Sequence, residues 1–161
     1  MGGTVSSAAV EISAPASDVF ALLVDLPAYP LWGMPFTIRM DSEREKPLTV
    51  GTAIIEHVVM DPLHPNSIHM QRVVVTEIDS QKFRLCWDSI MLLPFILYAK
   101  RVQQLRELPD GKGCVYETHD TMSGILSPLV LWLYGRAVSA GFAAQGQAIK
   151  AFMEKKARHS H

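Results

Sequence analysis

The chain has 161 residues, 48% hydrophobic and 19% charged, with 15 basic side chains against 16 acidic ones for a net charge of −1. That length suits one domain with its own core, and the lack of a basic surplus argues against nucleic acid as a partner. Cys86 and Cys114 are the only cysteines, in no CxxC or Cys/His arrangement. They exclude a disulfide scaffold, offer no metal-ligand spacing and read as buried thiols of a cytoplasmic protein.

The opening "MGGTVSS" lacks the charged start and apolar run of a signal peptide and fits the loose myristoylation pattern, with Gly2 and Ser6 in place. "AAVEISA" alternates like a strand. "SAPASDVFALLVD" then offers Ser17 as a helix cap, Asp18 in the first turn, and Val19, Leu22 and Leu23 at helical spacing. Pro27 and Pro30 stop that helix. "FTIRMD", "TAIIEHVVM", "SIHMQRVVVTEID" and "KFRLCWDS" read as strands between turn-rich segments, and two more flank the turn "PDGK". The apolar runs "SIMLLPFILYA" and "GILSPLVLWLY" are proline-broken and far short of the about twenty residues of a membrane span.

The last third changes character. Ser127-Pro128 opens a helix expected over about 128–157, because proline suits the first helical position. Leu131, Gly135, Val138, Phe142, Ile149 and Phe152 form one stripe, with Gln145 and Gly146 inside it. One strand, short helices, about six further strands and a long helix make an α+β domain.

Those elements, with the residues that fill them, resemble the START-like (SRPBCC) superfamily, closest to its polyketide cyclase/dehydrase and lipid-transport group. "VEISAPASDVFALLVDLPAYPLWGMPF" is similar to the family's opening, "VGTAI" to its Gly-Thr strand start, and "FRLCW" to its Leu-x-Trp strand. "DTMSGILSPL" and "GFAAQGQAIKAFMEKKA" resemble its closing segment and helix. The sequence departs from the family at "WGMP", at Asp120 for a glutamate, at Arg101 (or Lys100) for a histidine, and at Gly146 for an asparagine.

The resemblance implies a single START-like domain over 1–161 in a helix-grip fold. A curved antiparallel sheet of about six or seven strands wraps a long C-terminal helix, with two short helices after the first strand. It implies a hydrophobic small-molecule ligand, no transmembrane segment, no cofactor or metal, and a monomer or homodimer. The activity implied is that of a cyclase, dehydratase or isomerase of secondary metabolism; the alternatives are a lipid or hydrophobic-ligand carrier and a co-chaperone-like interaction module.

Strand parity selects the inward residues. Cys114, Tyr116, Thr118, Asp120 and Met122 form the more apolar face of their strand, and Ala99, Arg101, Gln103 and Leu105 share a face of the preceding one. A four-residue "PDGK" loop sets Arg101 opposite Asp120, and a shorter bulged loop would set Lys100 there. Either way a cation is expected beside Asp120. The pair either braces the sheet or divides the chemistry, with Asp120 moving a proton and Arg101 binding an anion. His57 is a third catalytic candidate, since both faces of its strand are apolar and either Glu56 or His57 could point inward. The expected walls are Trp32, Phe36, Leu85, Trp87, Tyr98, Tyr116, Thr118, Met122, Phe142 and Ile149, with Ile90 beside them. Trp32 lines the pocket or plugs the base of the sheet. Gly146 leaves room for ligand or lets the helix pack closely.

Overall fold

In a computed structural model, the described residues are 2–7, 9–32, 48–59, 68–90, 93 and 95–159, excepting the side chains of 30, 57–59, 68, 69 and 90. The elements are β1 (Gly2–Ser6), β2 (Val10–Ile12), α1 (Ala16–Val24), a 3-10 helix (Leu26–Trp32), β3 (Ala53–Val59), β4 (Ile68–Asp79), β5 (Arg84–Ile90), β6 (Tyr98–Glu107), β7 (Cys114–Ser123) and α2 (Ser127–His159). The expected strand "FTIRMD" lies outside the described residues.

The seven strands form one antiparallel sheet in the order β1-β7-β6-β5-β4-β3, with β2 also paired to β7. Strands β3 to β7 run as an antiparallel meander, each paired with the next in sequence. A bulge between Val75 and Glu77 in β4 adds local bend and twist. α2 packs on β1, β2 and β7, while α1 covers β5 and β6. This is the helix-grip arrangement that the resemblance implied.

The N-terminal strand departs from expectation. It is broken in two, and β1 begins at Gly2, where a glycine-rich start gave no strand signal. Gly2 fits because a Cβ there would lie 2.6 Å from the Met122 carbonyl oxygen. Ser17 is not the α1 cap. Pro15 takes that position in extended geometry without a side-chain bond, and its carbonyl accepts from the amides of Asp18 and Val19 at 3.0 and 3.2 Å. Pro27 and Pro30 do end α1, but within a 3-10 helix rather than an open loop.

The hairpin between β6 and β7 settles the register. Leu108 N–H donates to the Gly113 carbonyl at 2.9 Å, so the loop is Pro109–Lys112 and Arg101 lies opposite Asp120. Below that level the interior is apolar: Ile12, Leu23, Leu85, Leu105 and Ile149 are all buried. Each such aliphatic side chain contributes roughly 1.5–3 kcal/mol through burial.

Candidate functional site

The concave face of the sheet carries the site. On β6 and β7 the inward parity is as expected, with Arg101, Gln103, Tyr116 and Thr118 buried and Lys100 and Glu117 exposed. On β3 the ambiguity resolves toward Glu56, which is 5% exposed and points into the interior. The side chain of His57 lies outside the described residues, as do Phe36 and the side chain of Ile90.

Arg101 is the hub. Its Nε donates to Thr118 Oγ1 at 3.3 Å, and Thr118 in turn donates to the Val102 carbonyl at 3.1 Å. One terminal nitrogen donates to Gln145 Oε1 on α2, and the other lies 4.0 Å from Glu56 Oε1. The guanidinium carbon sits 5.4 Å from the Trp87 ring centroid and 4.5 Å from that of Phe142. Aromatic faces attract a cation and shield it from water. Gln145 Nε2 donates to Gln103 Oε1 at 3.3 Å, and the Tyr116 hydroxyl donates to the same oxygen at 2.7 Å. A buried charge needs such a set of partners to remain tolerable.

The expected Arg101–Asp120 ion pair does not form. The two stand opposite each other in register, but Arg101 reaches across the interior to Glu56 instead. β3 and β6 are three strand spacings apart, about 14 Å on a flat sheet. Their contact therefore measures how tightly the sheet curls. Asp120 is half-buried, and its Oδ1 is sealed from solvent without a hydrogen-bond partner. Burial pushes its carboxyl up to about 6, against the pull of Arg101 and helped by the negative charge of Glu56. The cation expected beside Asp120 is thus close enough to act on it but is paired with Glu56 instead.

The wall residues divide. Leu85, Trp87, Tyr116, Thr118, Met122, Phe142 and Ile149 are all buried, and Trp87 and Phe142 flank Arg101. Tyr98 is not a wall residue: it has the parity opposite to Arg101 and donates its hydroxyl to Asp88. Gly146 packs closely, since a Cβ there would lie 2.9 Å from Val10 Cγ2. Tyr29 is buried with its hydroxyl on the Leu23 carbonyl at 2.5 Å, and Trp32 stacks edge-on against it at 4.8 Å. Both belong to the buried core cluster, and Trp32 Nε1 is sealed there without a hydrogen-bond partner. Burial also raises both cysteine thiols, that of Cys114 to about 11, which makes them poor nucleophiles.

Sequence reasoning missed Gln145 and Gln103 as site residues. Each carried a signal: an amide inside an apolar helical stripe, and an amide sharing its face with Arg101. Among the described residues, no cluster of three or more His, Cys, Asp or Glu side chains is placed to hold a metal. No described helix is long and apolar enough to cross a membrane. An open groove of about 530 Å³ lies apart from this site, lined by Leu31, Phe152, Lys155, Lys156 and His159.

No family model matches the chain. A curated relative, the oxopyrrolidines biosynthesis cluster protein O of Penicillium oxalicum, is 28% identical over 94% of this chain and 87% of its own length. Among solved structures, the Zhui aromatase/cyclase of Streptomyces sp. R1128 superposes with a TM-score of 0.77 at 13% identity, covering 99% of this chain and 98% of that one. Norcoclaurine synthase of Thalictrum flavum, solved with dopamine and hydroxybenzaldehyde, gives 0.68 at 15% identity over 96% of this chain and 88% of that one. A START superfamily protein of Mycobacterium smegmatis gives 0.66 at 14% identity over 94% and 97%. The fold is START-like (SRPBCC).

Proposed function

We propose that this START-like chain binds a hydrophobic small molecule between the sheet and α2 and performs acid–base chemistry on it, as in cyclisation, dehydration or isomerisation of a polyketide-like substrate. The observation that carries the reading is Asp120, a carboxyl with an unpartnered buried oxygen and a midpoint of about 6. A group with that midpoint exchanges its proton near neutrality, where a general acid or base works best. Protonated, it donates to a ligand oxygen; ionised, it accepts a proton from carbon next to a carbonyl. The nearby Arg101 charge favours the enolate that such a step creates, and Trp87, Met122 and Phe142 supply apolar walls. The names of the Streptomyces and Penicillium proteins add support, since one is an aromatase/cyclase and the other belongs to a biosynthetic cluster.

A second reading has its own observation. Each Arg101 nitrogen already faces Thr118, Gln145 or Glu56, which suits a rigid wall in a non-catalytic carrier of lipid or other hydrophobic ligand. Native mass spectrometry of freshly purified protein, followed by denaturation to weigh what is released, separates the two. A polyketide-sized mass supports catalysis, and Asp120→Asn should then bind that scaffold but lose turnover. A ladder of fatty-acid or phospholipid masses supports the carrier, and unchanged turnover in Asp120→Asn removes Asp120 from the chemistry.

A further inference from the structure

The interior holds two carboxyls and one guanidinium, and the geometry divides them unevenly. Glu56 Oε2 accepts from Gln71 Nε2 at 2.6 Å, and Oε1 faces Arg101 at 4.0 Å. Gln71 is itself oriented, because the Ser89 hydroxyl donates to its Oε1 at 3.2 Å. Ser89, Gln71 and Glu56 thus form a row across the neighbouring strands β5, β4 and β3, and the row ends on Arg101. Asp120, although opposite Arg101 in the hairpin, has no such anchor on Oδ1.

Resting on the reading of Asp120 as the proton-transfer group, we infer that Glu56 is the positioning residue of this site: it is the standing counter-ion that draws Arg101 across the interior and leaves Asp120 without a cation of its own. The Ser89–Gln71 row fixes where that counter-ion stands. With Glu56 offsetting part of the Arg101 charge, ionising Asp120 would add a second carboxylate to an interior whose burial outweighs the remaining pull of Arg101. Among the described residues, the charged groups that act on the Asp120 carboxyl are Arg101 on β6 and Glu56 on β3, while Tyr29 from the 3-10 helix and Tyr116 on β7 lie near Arg101 and α2 contributes the neutral Gln145 to it. Burial raises both tyrosine hydroxyls above their ordinary value, so neither competes for a proton near neutrality. Arg101 draws the Asp120 midpoint down and Glu56 pushes it up. Removing the Glu56 charge therefore frees Arg101 to turn toward Asp120 and ends the repulsion at once.

The test is a side-chain carboxyl titration by ¹³C NMR on the full chain, which needs no substrate. In the wild-type protein the carboxyl titrating near pH 6 should be Asp120. In Glu56→Gln its midpoint should fall toward the ordinary aspartate value, whereas Glu56→Asp, which keeps the charge, should stay closer to wild type. An unmoved or raised midpoint in folded Glu56→Gln overturns the proposal. Should that variant not fold, the wild-type spectrum decides, because a Glu56 carboxyl titrating near neutrality in place of Asp120 overturns it equally. An unmoved midpoint removes the role of Glu56 and leaves the catalytic reading standing. Unchanged turnover in Asp120→Asn does the reverse.

Discussion

Two levels of one interior obey different rules. The base, around Leu23, Tyr29, Trp32, Leu85, Leu105 and Ile149, is apolar, and its buried tyrosine hydroxyl is satisfied locally by a backbone carbonyl. The level above it is polar: Glu56, Arg101, Gln103, Thr118 and Gln145 are all buried and depend on partners from four different elements. At the base, stability grows with area removed from water and tolerates a change of shape. In the polar level most buried atoms depend on a partner, with Gln103 Nε2 and Asp120 Oδ1 the exceptions, and removing one member strands its neighbours. Both levels therefore hold the fold, but the capacity for chemistry belongs to the level where one carboxyl has been left incompletely partnered.

Substitutions can sharpen that contrast. Arg101→Met should have the largest effect, about 3–5 kcal/mol of lost stability, because it leaves Glu56 buried without its cation. Urea denaturation measures this, and a cost near zero would mean the polar level holds nothing together. Gly146→Leu, where helix meets β2, should cost about 1–3 kcal/mol through overpacking against Val10. Ile149→Val at the base should cost only about 0.5–1.5 kcal/mol and leave the Asp120 titration unmoved. Trp132→Ser, at a position 81% exposed on the outer part of α2, should change stability by no more than about 0.5 kcal/mol.

Much of this was legible in the sequence, because alternation in a strand is a strict rule. Parity alone turned Thr118 and Asp120 inward together, while the "PDGK" loop left two registers open between which the Leu108–Gly113 bond decides. The same rule excludes Tyr98, which shares a strand with Arg101 but has the opposite parity. The partner of Arg101 was not legible. Register sets which backbones face each other, but a long side chain on a curled sheet can choose a partner three strands away, and curvature leaves little trace in local sequence. Glu56 and His57 lay on equally apolar faces, so only the fold could choose between them. The helix stripe is buried unevenly: Phe142, Gln145, Gly146 and Ile149 are buried, whereas Leu131, Gly135, Val138 and Phe152 are half-buried.

The most direct test compares the unfolding free energy of the wild type and Asp120→Asn between pH 4 and pH 8. The folded state holds the Asp120 proton up to about pH 6, whereas the unfolded chain releases it near the ordinary value of 3.8. Stability from this group is thus lost as pH rises through that window, by on the order of 2–3 kcal/mol. The asparagine variant cannot suffer that loss. It should match the wild type near pH 4 and be more stable than it above pH 6. A variant less stable than the wild type above pH 6 would show that Asp120 is an ionised, paired brace of the sheet, and would contradict the account.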